Sequence, residues 1–230
     1  MLFRFISSFG ADPLGATIEL VITVGALVSA LTVHEFGHAL IAHRLGDETA
    51  RLMGRLSLNP LRHLDPLGTL MLFVAGFGWG RPVPVNPALL QRGRQGMAVV
   101  SIAGPASNLL FAAGLALLVR VVPLDLFAST FRLTSPSGWI GALVVVAIFY
   151  NLLLGVFNII PLAPLDGSKV VIGVAPRDLA YRLSRLEAYG PGILVLVVAA
   201  NVIFRLNILG AILLPPVSWL GRVLTGASLF

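Results

Sequence analysis

The sequence contains no cysteine, which excludes a disulfide framework, a thiolate metal site and a cysteine nucleophile. Charge is nearly as scarce. Asp, Glu, Lys and Arg make up 11% of 230 residues, against about a quarter in soluble domains. That is too little to build a hydrated shell. Internal repeats and low-complexity tracts are also lacking. With 57% hydrophobic residues and a mean hydropathy of +0.94, disordered, collagenous and coiled-coil chains are excluded. What remains is an all-α polytopic membrane protein in the lipid bilayer. Sixteen Lys+Arg against ten Asp+Glu leave +6. An excess this small reads as a topology signal and points to no nucleic-acid partner. Any catalysis rests on His, carboxylate or hydroxyl groups.

Uncharged runs at 20–33, 95–119, 133–165, 188–204 and 206–221 predict five spans. A helical span needs about 20 residues. The spans are expected at about 16–43, 97–120, 138–160, 189–204 and 207–224. A sixth apolar segment, 66–80, has 15 residues and four glycines. It is short for a span and suits a re-entrant or interfacial piece. If it does not cross, Lys and Arg divide 12 to 4, with loops 44–96 and 165–188 and Arg222 on the richer side. If it crosses, the split is 7 to 9 and carries no bias. The positive-inside rule therefore favours the non-crossing reading, with those loops cytoplasmic and the N-terminus outside. Segment 81–87, with its three prolines, is expected to be extended, pairing with 70–77 or 51–58. Segment 179–187 reads as an amphipathic surface helix near anionic lipid. The first hydrophobic helix is expected to be retained and not cleaved as a signal peptide.

The most informative residues lie near the end of the first span, in His34-Glu35-Phe36-Gly37-His38. Positions i and i+4 share one helix face, so both imidazoles can grip one Zn²⁺ while Glu35 activates its water. At this chain's own His and Glu frequencies the pattern arises by chance in roughly one sequence per thousand. Three ionisable groups inside a membrane helix are costly unless they face a cavity, a metal or each other.

A catalytic zinc takes three protein ligands and a water. His43, His63, Asp65, Asp166 and more distant carboxylates are candidates for the third. His43 is turned about 140° from the ligand face and marks the membrane surface with Arg44. His63 lies in an Arg-rich loop, solvated or structural. Asp65 precedes Pro66 and suits a helix N-cap. Asp166 follows the long uncharged run, after Pro161 and Pro164, which stop helix propagation. A carboxylate at such a break is tolerated at membrane depth only when buried in protein or facing water.

The pair of motifs, HEFGH at 34–38 and NIIPLAPLDG at 158–167, resembles the signatures of the site-2 protease family of intramembrane zinc metalloproteases. Residues 54–69 and the stretch Gly104-Pro105-Ala106-Ser107-Asn108 look like further parts of the family's shorter members, so the resemblance covers about 20–170. It implies a three-helix catalytic core with one zinc per chain on His34, His38 and Asp166, and Glu35 as general base. It also implies a multi-pass protein of the cell membrane whose substrates are transmembrane proteins, cleaved in regulated intramembrane proteolysis. The chain is expected to form a single domain over 1–230, with its core at about 16–170 and a helix pair at about 189–224. It looks like a minimal form without a PDZ domain.

Beside the resemblance, Gly104, Asn108, Ala112 and Ala116 recur every four residues, and small residues at that spacing let helices approach closely. Asn108 is a candidate for orienting a zinc-bound His. Asn158 shares a face with Asn151 and Gly155, and is a candidate for substrate binding; Asn151 reads as packing. Lys169 reads as snorkelling to the interface. Two other classes fit in part. A metal transporter also places His and Asp in membrane helices, but usually with a longer polar path and repeated halves. A catalytically inactive scaffold of the same family would not need Glu35.

Overall fold

The computed structural model describes residues 2–75, 78–121, 136–204 and 206–227. Among them the chain forms helices α1 (Leu2–Phe9), α2 (Pro13–Arg44), α3 (Thr49–Leu52), α4 (Pro66–Ala75), α5 (Arg94–Val121) and α6 (Pro136–Ile159). After these come α7 (Asp166–Val174), α8 (Arg177–Leu186), α9 (Gly190–Ile203) and α10 (Ile208–Thr225). No strand occurs among the described residues. Five helices are long and apolar enough to cross a membrane, one of them running through α8 and α9 as 177–201. The expected span limits fall within a few residues of the observed ones. Arg132 and Arg205, used in the charge count, lie outside the described residues.

The centre of the fold is α2, α5 and α6 packed together, with α7 against α5. Small residues make this possible. Ala26, Ala30, Ala103, Ala112 and Ala116 are all buried, and close approach replaces the hydrophobic drive that lipid does not supply. α2 starts where Asp12 accepts a hydrogen bond from the Gly15 N–H at 3.0 Å, with Pro13 in the first turn. It ends at Gly46, whose φ of +99° suits a residue without a side chain.

The 66–80 segment does not cross. Leu64 and Gly80 form an antiparallel bridge, and the Arg81 N–H donates to the His63 carbonyl at 2.7 Å. Both ends of the excursion are pinned to each other on one face. Asp65 caps α4 as expected, accepting from the Gly68 N–H at 2.8 Å. The expected backbone pairing with 70–77 or 51–58 is not what is found: among the described residues 80–81 pairs with 63–64, 51–58 reaches the segment through the Arg55 side chain, and 76–77 lie outside the described residues. The reason is a buried arginine. Arg55 donates to the carbonyls of Arg62, Arg81 and Pro82, which gathers both ends of the excursion around one guanidinium. His63 is not solvated either; it is fully buried and its Nε2 contacts the Ser57 carbonyl at 2.7 Å.

Asp47 anchors the far end of the extended segment. Its buried carboxylate accepts from the Thr49 N–H and hydroxyl and from the Asn86 N–H at 2.7 Å. Burial pushes this carboxyl up, but the hydrogen bonds outweigh it and hold it below the usual carboxylate range.

One charge changes sides. Arg120, at the end of α5, donates to the Val223 carbonyl at 2.6 Å, and Val217 packs in one core with Ala112, Ala116 and Val119. α10 therefore runs in the same direction as α5, and Arg222 lies at the face opposite loops 44–96 and 165–188. Without Arg222, loops 44–96 and 165–188 still hold 11 of the 16 Lys and Arg residues, which keeps the bias. Gly190 sits against Ala163 at the other face. From 190 to 225 the chain thus makes one net crossing, and α10 supplies it. α9 has 14 residues, about 21 Å long, short of the ~30 Å hydrocarbon layer.

Candidate metal centre and its cavity

His34, Glu35 and His38 are buried on the C-terminal half of α2. One helical turn apart, the two imidazoles meet edge to face with centroids 4.6 Å apart. Asp166 comes from the other side of the fold. α6 stops at Ile159, two prolines keep 160–165 out of helix, and Asp166 opens α7. Its Oδ2 lies 3.0 Å from His34 Nε2 and 3.1 Å from His38 Nε2, and the two Nε2 atoms are 3.1 Å apart. Gly167 is required beside it, because a Cβ there would meet the Ile159 carbonyl oxygen at 2.2 Å.

The protonation of both rings follows from their other nitrogens. Asn108 Nδ2 donates to the Ala30 carbonyl and to Asn151 Oδ1, each at 2.8 Å. Its amide hydrogens are spent, so its Oδ1 faces His34 as an acceptor and His34 Nδ1 donates to it at 2.7 Å. His38 Nδ1 donates to the Val100 carbonyl at 2.8 Å. With both Nδ1 positions carrying the proton, each neutral ring presents a bare Nε2 lone pair. Two lone pairs and a carboxylate oxygen then converge on one point. Such a trio repels itself unless it encloses a cation. Two imidazoles and a carboxylate, each ring braced through its second nitrogen, form a donor set that suits zinc.

Among the described residues this is the one cluster of three or more metal-type side chains. His43 is not brought to it; its Nδ1 lies 2.9 Å from Glu48 Oε1. His63 and Asp65 hold the loop as described above. The lone-pair cluster opens into a cavity of about 180 Å³, walled also by Glu35, Val83, Asn158 and Lys169. Glu35 stays outside the trio and its Oε2 accepts the Val83 N–H at 3.0 Å. Asn158 is half-buried and donates to the Leu154 carbonyl of its own helix at 3.0 Å.

Three contributors were missed from the sequence. Asn151 is not simple packing: fully buried, it orients the amide that orients His34. Gly104 has to be glycine, since a Cβ would sit 2.4 Å from His38 Nε2. The Val100 carbonyl braces His38 one turn before Pro105, a proline inside α5. A polar Asn in an otherwise uncharged span was the available signal for the first. A backbone carbonyl leaves none.

The family model described as Peptidase family M50 matches residues 22–198. The protein named "Putative zinc metalloprotease YwhC" of Bacillus subtilis is 41% identical over 179 residues, covering 77% of this chain and 78% of that protein. "Putative zinc metalloprotease Rip2" of Mycobacterium tuberculosis is 37% identical over 161 residues, covering 66% of this chain and 56% of that protein. No solved structure matches the chain.

Proposed function

The chain belongs to peptidase family M50, the site-2 proteases, and is a membrane zinc metalloprotease; on that premise we propose that it is an intramembrane endopeptidase. It hydrolyses peptide bonds within or near the transmembrane segments of membrane-protein substrates, in regulated intramembrane proteolysis at the cell membrane. The observation that carries this reading is a carboxylate, Glu35, facing the same buried cavity as His34, His38 and Asp166 without belonging to their cluster. A transporter needs a path and no base. An inactive scaffold needs neither the base nor the cavity.

His34, His38 and Asp166 hold the zinc. When bound, zinc supplies Lewis acidity toward the scissile carbonyl and makes water a better nucleophile. Glu35 takes the proton of the attacking water as its oxygen bonds to the carbonyl carbon. It returns a proton to the amide nitrogen as the C–N bond breaks. Asn108 holds His34 in its zinc-binding tautomer. Val83 and Val85 line the cavity beside Pro82. Arg81 and Val83 each precede a proline, which favours extended backbone. An unwound substrate segment can lie along this extended segment, where main-chain hydrogen bonds replace those of its helix.

Asn158 offers an amide to that substrate backbone. Leaving one such partner buried and unpaired costs about 1–3 kcal/mol. Asn158→Ala is therefore expected to keep zinc and fold and to cleave roughly ten- to a hundredfold more slowly. Wild-type rates would make Asn158 a packing residue, and loss of zinc would place it at the metal.

The reading as a whole is tested in proteoliposomes with a single-span substrate and mass spectrometry of the products. The expected cut lies within or at the edge of the apolar segment. Cleavage confined to water-exposed loops would overturn it.

A further inference from the structure

We propose that α8 is a docking surface for anionic lipid headgroups on the cytoplasmic face, so that this helix lies on the bilayer and does not enter it. At about 100° per residue, Arg177, Arg185 and Arg182 fall within one arc of about 140°. Leu179, Leu183 and Leu186 fall within an adjoining arc of about 60°. A third side, at Ala180, is buried where α8 packs on α7. Each side is thus accounted for differently: one is covered by protein, one is cationic, and one is apolar and open. Leu179 is 47% exposed and Leu186 is 56% exposed. Tyr189 continues the open strip at 68%.

The arginines are exposed, and among the described ion pairs none involves them. Two more cations lie close. A Cβ on Gly173, at the end of α7, would meet the Arg94 carbonyl at 3.0 Å, which puts the start of α5, with Arg92 and Arg94, against the end of α7, three residues before α8 begins. Asp178 and Glu187 are the acidic residues of 177–187, so the cations of this stretch exceed its anions by three to two. An exposed leucine strip bordered by unpaired arginines, at the level of a bilayer surface, matches anionic headgroups above acyl chains.

Topology supplies an independent argument. By length and composition alone, 177–201 qualifies as a span. Yet one net crossing between 190 and 225 is already made by α10, whose end is tied to Arg120. A second crossing through α8 and α9 would bring the chain to the wrong face for α10 to begin. α8 is left at the surface, where its charges remain hydrated. The proposal is independent of the peptidase reading, because its readout is the environment of α8 and not cleavage.

The test uses the full chain with a single cysteine, Leu186→Cys, carrying an environment-sensitive fluorophore; the absence of native cysteine makes the label unique. The protein is reconstituted in phosphatidylcholine vesicles with and without phosphatidylglycerol. The expected result is a blue-shifted probe, shielded from an aqueous quencher, in the anionic vesicles only, and reversed by added salt. Each arginine changed to Gln should lower the docked-to-undocked ratio roughly fivefold, and all three together about a hundredfold. If the triple variant fails to reconstitute, Arg182→Gln alone and the lipid comparison on the wild-type background still decide. Equal shielding in both lipids would make α8 part of a span and overturn the proposal. So would a probe in water in both, or shielding that follows protein density, which would indicate a second copy as the occupant.

Discussion

Glu35→Gln is expected to retain full zinc and lower peptide hydrolysis by about two to four orders of magnitude, the contribution of a positioned general base. The glutamine is isosteric, and its side-chain oxygen still accepts the Val83 N–H, so the extended segment stays in place. What is lost is the ability to take a proton from water. The three metal-type side chains do not include Glu35, so the metal content of the purified variant should equal that of the wild type. Thermal stability should be unchanged for the same reason. A variant that hydrolyses peptide at the wild-type rate would remove Glu35 from the mechanism. One that loses zinc would make it a ligand.

The second large effect is expected at Asp166. Asp166→Ala removes one of three converging donor atoms and should lose most bound zinc on metal analysis, and activity with it. The variant also offers a stability readout that does not depend on cleavage. A ligand that binds only the folded protein stabilises it by about 4 kcal/mol when its concentration is a thousand times Kd. Chelation should therefore lower the melting temperature of the wild type and leave that of Asp166→Ala nearly unmoved. Full zinc retention in Asp166→Ala would transfer the third ligand elsewhere and contradict the reading of the lone-pair cluster.

The limits of the helices were legible because they follow from a one-dimensional property. A bilayer demands runs of apolar residues of a given length, and the runs near 97–120 and 138–160 delivered α5 and α6. His34 and His38 were legible because helical periodicity alone brings i and i+4 to one face. Asp166 was legible as a carboxylate at a proline-made break, and the resemblance singled it out from His43, His63 and Asp65. The roles of those three residues are not periodic. His63 is buried because Arg55 gathers three carbonyls from distant positions around it, and no local pattern encodes that.

The direction of α10 was also beyond reach. Its apolar residues suit either orientation, and the positive-inside count tolerates moving Arg222. The contact between Arg120 and the Val223 carbonyl decides the matter. The same holds for Asn151, which is one polar residue in an apolar run until α5 and α6 pack and its oxygen meets Asn108. By itself, the sequence determined a membrane chain, its helical segments and the His pair of a candidate metal site, since composition, run length and helical period are local. The tertiary structure alone decided which nitrogen of each ring is free, what braces it, and that Arg55 holds the extended segment beside Glu35. Those choices depend on hydrogen bonds between residues dozens of positions apart, and only packing sets their distances.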